Sequence, residues 1–472
     1  MSRATWASRL GFILAAVGSA VGLGNIWRFP WMTAENGGSA FLAVYLLVVV
    51  AVGVPGLLAE FVIGRRGRRN PVGSLRTLSE TRWWPAVGAL SVVTALALLS
   101  FYSVVGGWVL RYTLEALTAA VGGQAGYAAE PAAYFDAVGF GAEAVGYHLV
   151  FLGLSAFVVL AGVRRGIEVG TKVMMPLVLV LLVALAAWAA GGDGAAAAYG
   201  FYLGFDLSVL EERFFAVLGP AAGQALFTLS LGAGTMVTYA SYVGEDRSLP
   251  ADATAIAGLN TAVGVLAGLV VFPLLFSLGV DPTATGSGQG ALFVGLAGAF
   301  TRLPAGDLVG AAFFVVVLLA ALSSAISILE IPVAFLTDEF ALSRPQAVGG
   351  LFALLAATGS ATALSPAGFG FVAGTLVNLL LTAGLLGFLL FVGWELGSDA
   401  VAEFETGSGP LAARLSTLWL LAVGVALPVF LAFTLLSSLG VTAALGFWPS
   451  VAAAVVVAAV VAVGVRNPRS VV

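Results

Sequence analysis

Cysteine is absent from this 472-residue chain, which removes a disulfide framework, a thiolate metal site and a cysteine nucleophile at once. Histidine is reduced to His148 and lysine to Lys172. With one histidine and no paired aspartates inside its apolar runs, the chain lacks the usual parts of an intramembrane hydrolase or a metal-dependent enzyme. Charged residues of both signs make up only 9% of it, against about 25% in an ordinary soluble domain. The net charge of −4 is small for this length and gives nucleic acid nothing to bind.

Apolar residues supply 60% of the chain. Many stretches, such as 376–392 and 451–465, run for about 20 residues with little or no charge, enough to cross a hydrocarbon layer of about 30 Å. The reading is an all-α polytopic membrane protein embedded in a lipid bilayer. About twelve spans are expected, near 8–34, 40–64, 85–119, 144–162, 167–190, 215–242, 251–279, 306–338, 345–363, 368–394, 411–438 and 446–465. The first is too long for a signal peptide, has no convincing cleavage site and continues into Arg28. Arginines 65, 66, 68, 69, 76 and 82 crowd one loop, and most others fall on the same side in an alternating count. The positive-inside rule then places both termini in the cytoplasm, with the chain in the cell (inner) membrane.

Two spans carry breaks. In the first, Gly18, Gly22 and Gly24 each weaken a helix by roughly 1 kcal/mol, and Asn25, Arg28 and Pro30 follow. In the sixth, Gln224 to Gly234 again mixes amides and hydroxyls with glycine. Irregular backbone at membrane depth survives only where protein or a wet cavity satisfies it. Breaks five helices apart suit two inverted five-helix repeats, 1–190 and 191–394, with two added helices over 395–472. Such paired breaks point to a midplane site for a polar solute and its coupling ions. Close helix packing through small residues is the plainer explanation for either break taken alone.

The residues Trp6 to Gly11, Gly22-Leu-Gly-Asn-Ile-Trp-Arg-Phe-Pro30 and Glu35-Asn-Gly-Gly38 resemble the first helix of the neurotransmitter:sodium symporter family. Gln224 to Tyr242 resembles its sixth helix, and Ser323-Ser324 with Asp338-Glu339 its eighth. The resemblance runs over nearly the whole chain and implies a LeuT-type fold and sodium-coupled uptake by alternating access. It implies two sodium sites. The first matches the Ala20 carbonyl with Asn25, Thr228 and Asn260. The second matches the carbonyls of Gly18, Val21 and Ala320 with the hydroxyls of Ser323 and Ser324. Neutral oxygens suit a hard monovalent cation that must later leave.

The same resemblance implies a substrate site. Leu23 and Gly24 amides with the Tyr102 hydroxyl would hold a carboxylate. The carbonyls of Ala20, Phe227 and Thr228 would receive an ammonium, and Leu98, Ser230, Ala233 and Ile328 would surround the side chain. Relatives that carry monoamines place an aspartate where this chain has Gly22, so an amino acid is expected, apolar or aromatic because Ala233 replaces a bulky aromatic. Arg3 and Asp338 match a cytoplasmic gate with Trp6 beside it, and Gly166 and Pro176 match a fifth-helix Gly-x9-Pro pattern. Arg28 matches the outer gate, but Gly370 stands where its helix-ten acid is usual. Gly264 is neither the serine nor the acid that tracks chloride dependence in relatives, which leaves chloride open. Glu60 and Glu330 are expected to bond backbone near the breaks, and His148 to lie at the interface. A non-transporting sensor on the same fold, or a symporter of another small solute such as a betaine or nucleobase, remains an alternative. Oligomeric state is not legible.

Overall fold

The computed structural model describes residues 6–205, 207–244, 247–279, 291–302, 305–439, 449 and 451–457. Among these, nine continuous helices are long and apolar enough to cross a membrane, and a bent pair makes a tenth. That pair is α1, Arg9–Ala20 followed by Gly24–Glu35, with the halves inclined at 50°. The continuous helices are α2 (Ser39–Gly67), α3 (Trp84–Ala120), α4 (Ala142–Leu160), α5 (Val163–Ala189), α7 (Leu249–Ser277), α8 (Gly306–Glu339), α9 (Arg344–Ala363), α10 (Pro366–Leu396) and α11 (Pro410–Ser437). Between α5 and α7 lies α6, Leu207–Thr228 and Thr235–Ala240, interrupted from Leu229 to Gly234. The expected twelfth span falls largely outside the described residues.

Local chemistry sets the helix ends. Ser8 caps α1 by accepting the Gly11 amide at 3.0 Å. The first half of α1 stops at Val21, whose backbone turns extended (φ −76°, ψ 106°). In α6, Gly232 and Gly234 adopt φ +85° and +75°, a left-handed region that glycine enters without strain.

The packing draws α3, α4, α8 and α9 into one group, while α1 runs between α5, α7 and α8, and α2 lies along both halves of α6. Small residues bring backbones together. A Cβ on Gly107 of α3 would stand 2.7 Å from the His148 amide nitrogen on α4. His148, expected at the interface from its place near a helix start, faces protein on all sides. It is fully buried, with its ring against Gly359 of α9.

This close approach makes a prediction. Gly107→Ala overpacks the α3–α4 seam and should cost about 1–3 kcal/mol. The apparent melting temperature in detergent should fall, while Gly146→Ala, whose Cβ meets nothing within 4 Å, should leave it unchanged.

Candidate functional site

Both breaks meet at mid-bundle, and side chains from neighbouring helices take up their backbone groups. Asn25 accepts the Gly22 amide at 3.2 Å, and Gln224 of α6 donates to the Gly24 carbonyl at 2.7 Å. Glu60 of α2 accepts the Gly232 amide at 2.7 Å, as expected of an acid beside a break. Glu330 behaves otherwise: it pairs with Arg344 and accepts the Tyr242 hydroxyl at 3.2 Å, away from either break.

Two oxygen-rich clusters flank the α1 break. In the first, Asn25 Nδ2 donates to the carbonyl and side-chain oxygens of Asn260, both at 2.9 Å, and the Thr228 hydroxyl reaches Asn260 Oδ1 at 3.3 Å. Ala20, the last residue before the break, is buried with them. In the second, Ser323 Oγ donates to the Gly18 carbonyl at 2.7 Å and to the Ala320 carbonyl at 3.0 Å. Ser324 Oγ lies 3.2 Å from the Val21 carbonyl and 3.0 Å from that of Ser19. Within each cluster the side chains named are buried and carry no formal charge.

Between the clusters lies a cavity of about 20 Å³, lined by Ala20, Gly24, Leu98, Tyr102, Phe227, Ser230 and Ile328 among the expected substrate residues. Leu23 reaches the same place through its amide, which donates to the Tyr102 hydroxyl at 3.3 Å. Thr228 belongs to the first cluster, and Ala233 is fully buried outside the lining. Two lining residues escaped the sequence reading. Ser19, whose buried hydroxyl finds no partner, follows Gly18 and was visible as a polar residue at the break. Leu381 of α10 carried no local signal at all.

The arginine-rich end is tied shut. Trp6 donates its amide to the Tyr242 carbonyl (3.2 Å) and its indole to that of Tyr239 (3.0 Å). Glu168 of α5 holds the Ala7 amide at 2.9 Å and Lys172 at 2.7 Å. Arg9 pairs with Asp252 at 3.1 Å. Asp338 accepts the Asn70 amide at 3.0 Å. Its expected partner, Arg3, lies outside the described residues. At the other end a cavity of about 550 Å³ opens between α6, α10 and α11. Arg28 lines it and rests 4.7 Å from the Phe227 ring centroid, a cation–π contact. No carboxylate pairs with Arg28 among the described residues.

The Glu60 contact is open to test. A typical hydrogen bond contributes about 0.5–1.5 kcal/mol, and stranding the buried amide it satisfies costs about 1–3 kcal/mol. Glu60→Leu should lower the apparent melting temperature clearly, and Glu60→Gln, which keeps a carbonyl acceptor, should lower it less.

A model of the sodium:neurotransmitter symporter family matches residues 3–126 and 141–374. The chain is 34% identical to the uncharacterized sodium-dependent transporter YhdH of Bacillus subtilis (strain 168), over 92% of this chain and 98% of that one. It is 28% identical to the bovine (Bos taurus) sodium-dependent neutral amino acid transporter B(0)AT2 over 58% of this chain and 41% of the relative. Among solved structures it superposes on MhsT in complex with L-phenylalanine with a TM-score of 0.82 and 37% identity, covering 93% of this chain and all of that one. With twin breaks, a long family match and relatives over almost its full length, the chain belongs to the sodium:neurotransmitter symporter family: it is a multi-pass, sodium-dependent membrane transporter of LeuT type, and not an enzyme.

Proposed function

We propose that this transporter carries a neutral amino acid into the cell, coupled to sodium entry, by alternating access. The observation that carries this reading is the closure around Gly22. A Cβ there would stand 2.3 Å from Ser324 Oγ and 2.7 Å from the Tyr102 hydroxyl. The position leaves little room for an acidic side chain, and among the described residues no carboxylate lines the central cavity to pair with a lone amine, which favours a substrate that brings its own carboxylate. The Leu23 amide and Tyr102 hydroxyl, already 3.3 Å apart, are the donors for it. The MhsT complex with L-phenylalanine and the neutral amino acid relatives support the same substrate class.

Sodium would occupy the two oxygen clusters, one ion in each. At the first, the substrate carboxylate would complete a shell begun by Ala20, Asn25, Thr228 and Asn260. At the second, Gly18, Val21, Ala320, Ser323 and Ser324 suffice without it. Two cations entering a weakly polar interior call for a nearby anion. Near Thr228 of the first cluster, the hydroxyls of Tyr45 and Thr261 are buried without a hydrogen-bond partner among the described residues, and the atoms nearest a Cβ on Gly264 belong to Phe29 and Asn25 at 3.5 Å or more. Chloride on those hydroxyls is the reading this supports, in place of a carboxylate at 264.

The arginine-rich end, where Trp6 and Asp338 sit, is assigned to the cytoplasm together with both termini. Arg3 would join Asp338 there, and Arg28 with Phe227 would close the outside. The two breaks are read as equivalent points of inverted repeats 1–190 and 191–394, which lets α1, α2, α6 and α7 tilt against α3, α4, α8 and α9. The membrane potential adds about 2.3 kcal/mol per charge per 100 mV to the driving force.

Proteoliposomes with an inward sodium gradient should accumulate one or more neutral amino acids from a labelled panel, and a potassium gradient should not support it. Asn25→Ala should abolish accumulation. Saturable binding with no accumulation in the wild type would instead mark a sensor. Replacing chloride by gluconate should slow uptake severalfold, and an unchanged rate would remove the anion from the reading.

A further inference from the structure

Leu381 sits where three features of the fold meet. Among the described residues it is the one common to the linings of the central cavity and the large cavity beside Arg28. Its side chain is buried, 2% exposed. Its backbone abuts the α6 break, where a Cβ on Gly232 would stand 1.9 Å from the Leu381 carbonyl oxygen. One turn on, a Cβ on Gly384 would lie 2.2 Å from the Gly232 carbonyl oxygen. Two glycines thus press α10 against the unwound segment immediately beside Ala233.

Ala233 supplies only a methyl group, and that group lies outside the cavity lining. A binding site for an apolar side chain needs a wall at its far end. On α6 the lining comes from Phe227 and Ser230 and none of it from Ala233, and beside that gap Leu381 supplies the wall from α10. A turn of π-helix, Phe371–Leu376, precedes it and shifts the register of everything after it in α10.

We propose that Leu381 determines specificity in this transporter: it bounds the distal end of the transported side chain, and it is the apolar partition between substrate and outer cavity. The inference rests on the amino-acid reading above and adds the residue that selects among amino acids by size. Arg28 over Phe227 covers the substrate's polar end, and Leu381 covers the apolar end. An outer carboxylate opposite Arg28 is then not needed to separate the two cavities.

The test is competition within each variant, using a labelled amino acid that the wild type accumulates into proteoliposomes. Unlabelled alanine, leucine, phenylalanine and tryptophan compete, and the readout is the ratio of half-inhibitory concentrations of tryptophan to alanine. Adding or removing apolar bulk in a pocket shifts preference by about tenfold or more. Leu381→Ala should therefore shift the ratio about tenfold in favour of tryptophan. Leu381→Phe should shift it about tenfold towards alanine, and Leu381→Met should stay near wild type. A ratio does not depend on the amount of active protein, so poor folding of one variant does not mask the effect in another. Wild-type uptake with the same ratio in both the Ala and Phe variants overturns the role of Leu381 alone. A wild type that accumulates no amino acid removes the substrate reading and this one together.

Discussion

Gln224 donating to the Gly24 carbonyl, and Glu60 accepting from the Gly232 amide, answer one demand: backbone that leaves a helix inside a membrane must be bonded by the protein itself. Much else in the fold follows from that demand. The breaks in α1 and α6 must lie against helices that carry polar side chains, which brings Asn260 of α7 and Ser323 and Ser324 of α8 to the same depth. Asn25, Ser323 and Ser324 bond the backbone around the α1 break and also belong to the clusters a cation would use, whereas Gln224 and Glu60 serve the backbone alone. At the α1 break the machinery of the site and the repair of the helix share atoms.

Legibility in the sequence followed the same physics. Glycine and proline betray a break wherever they fall, so Gly22, Gly24 and Gly232 could be read without coordinates. Hydroxyls and amides in a chain that is 60% apolar also stand out, which is how Asn25, Thr228 and Ser323 were found. Leu381 could not be found that way, because it stands in a run of three leucines, 379–381, and nothing in the sequence sets it apart from its neighbours. The burial of His148 and the pairing of Glu330 were hidden for a related reason. Their position along a helix was legible, but the neighbours that bury one and neutralise the other come from α9, far along the chain.

The two ends of the molecule are held by different kinds of force. At the arginine-rich end, the carboxylates of Glu168, Asp252 and Glu330 are no more than 1% exposed and each meets a cation. Breaking a buried pair leaves a charge without a partner, which is costly. At the opposite end, Arg28 rests on an aromatic face beside a large cavity, and the contact is weaker and less directional. A molecule built this way resists opening at one end far more than at the other.

The pressed glycines at the α6–α10 crossing carry a mechanical consequence. Side chains can rotate out of the way when helices slide, but main chain cannot. With Gly232 against the Leu381 carbonyl and Gly384 against the Gly232 carbonyl, neither segment can shear past the other. Any tilt of α6 must drag the middle of α10 along as a single lever. The plane of slip then runs on the far side of α10, where it meets α3 through side chains such as Val87 against Gly387.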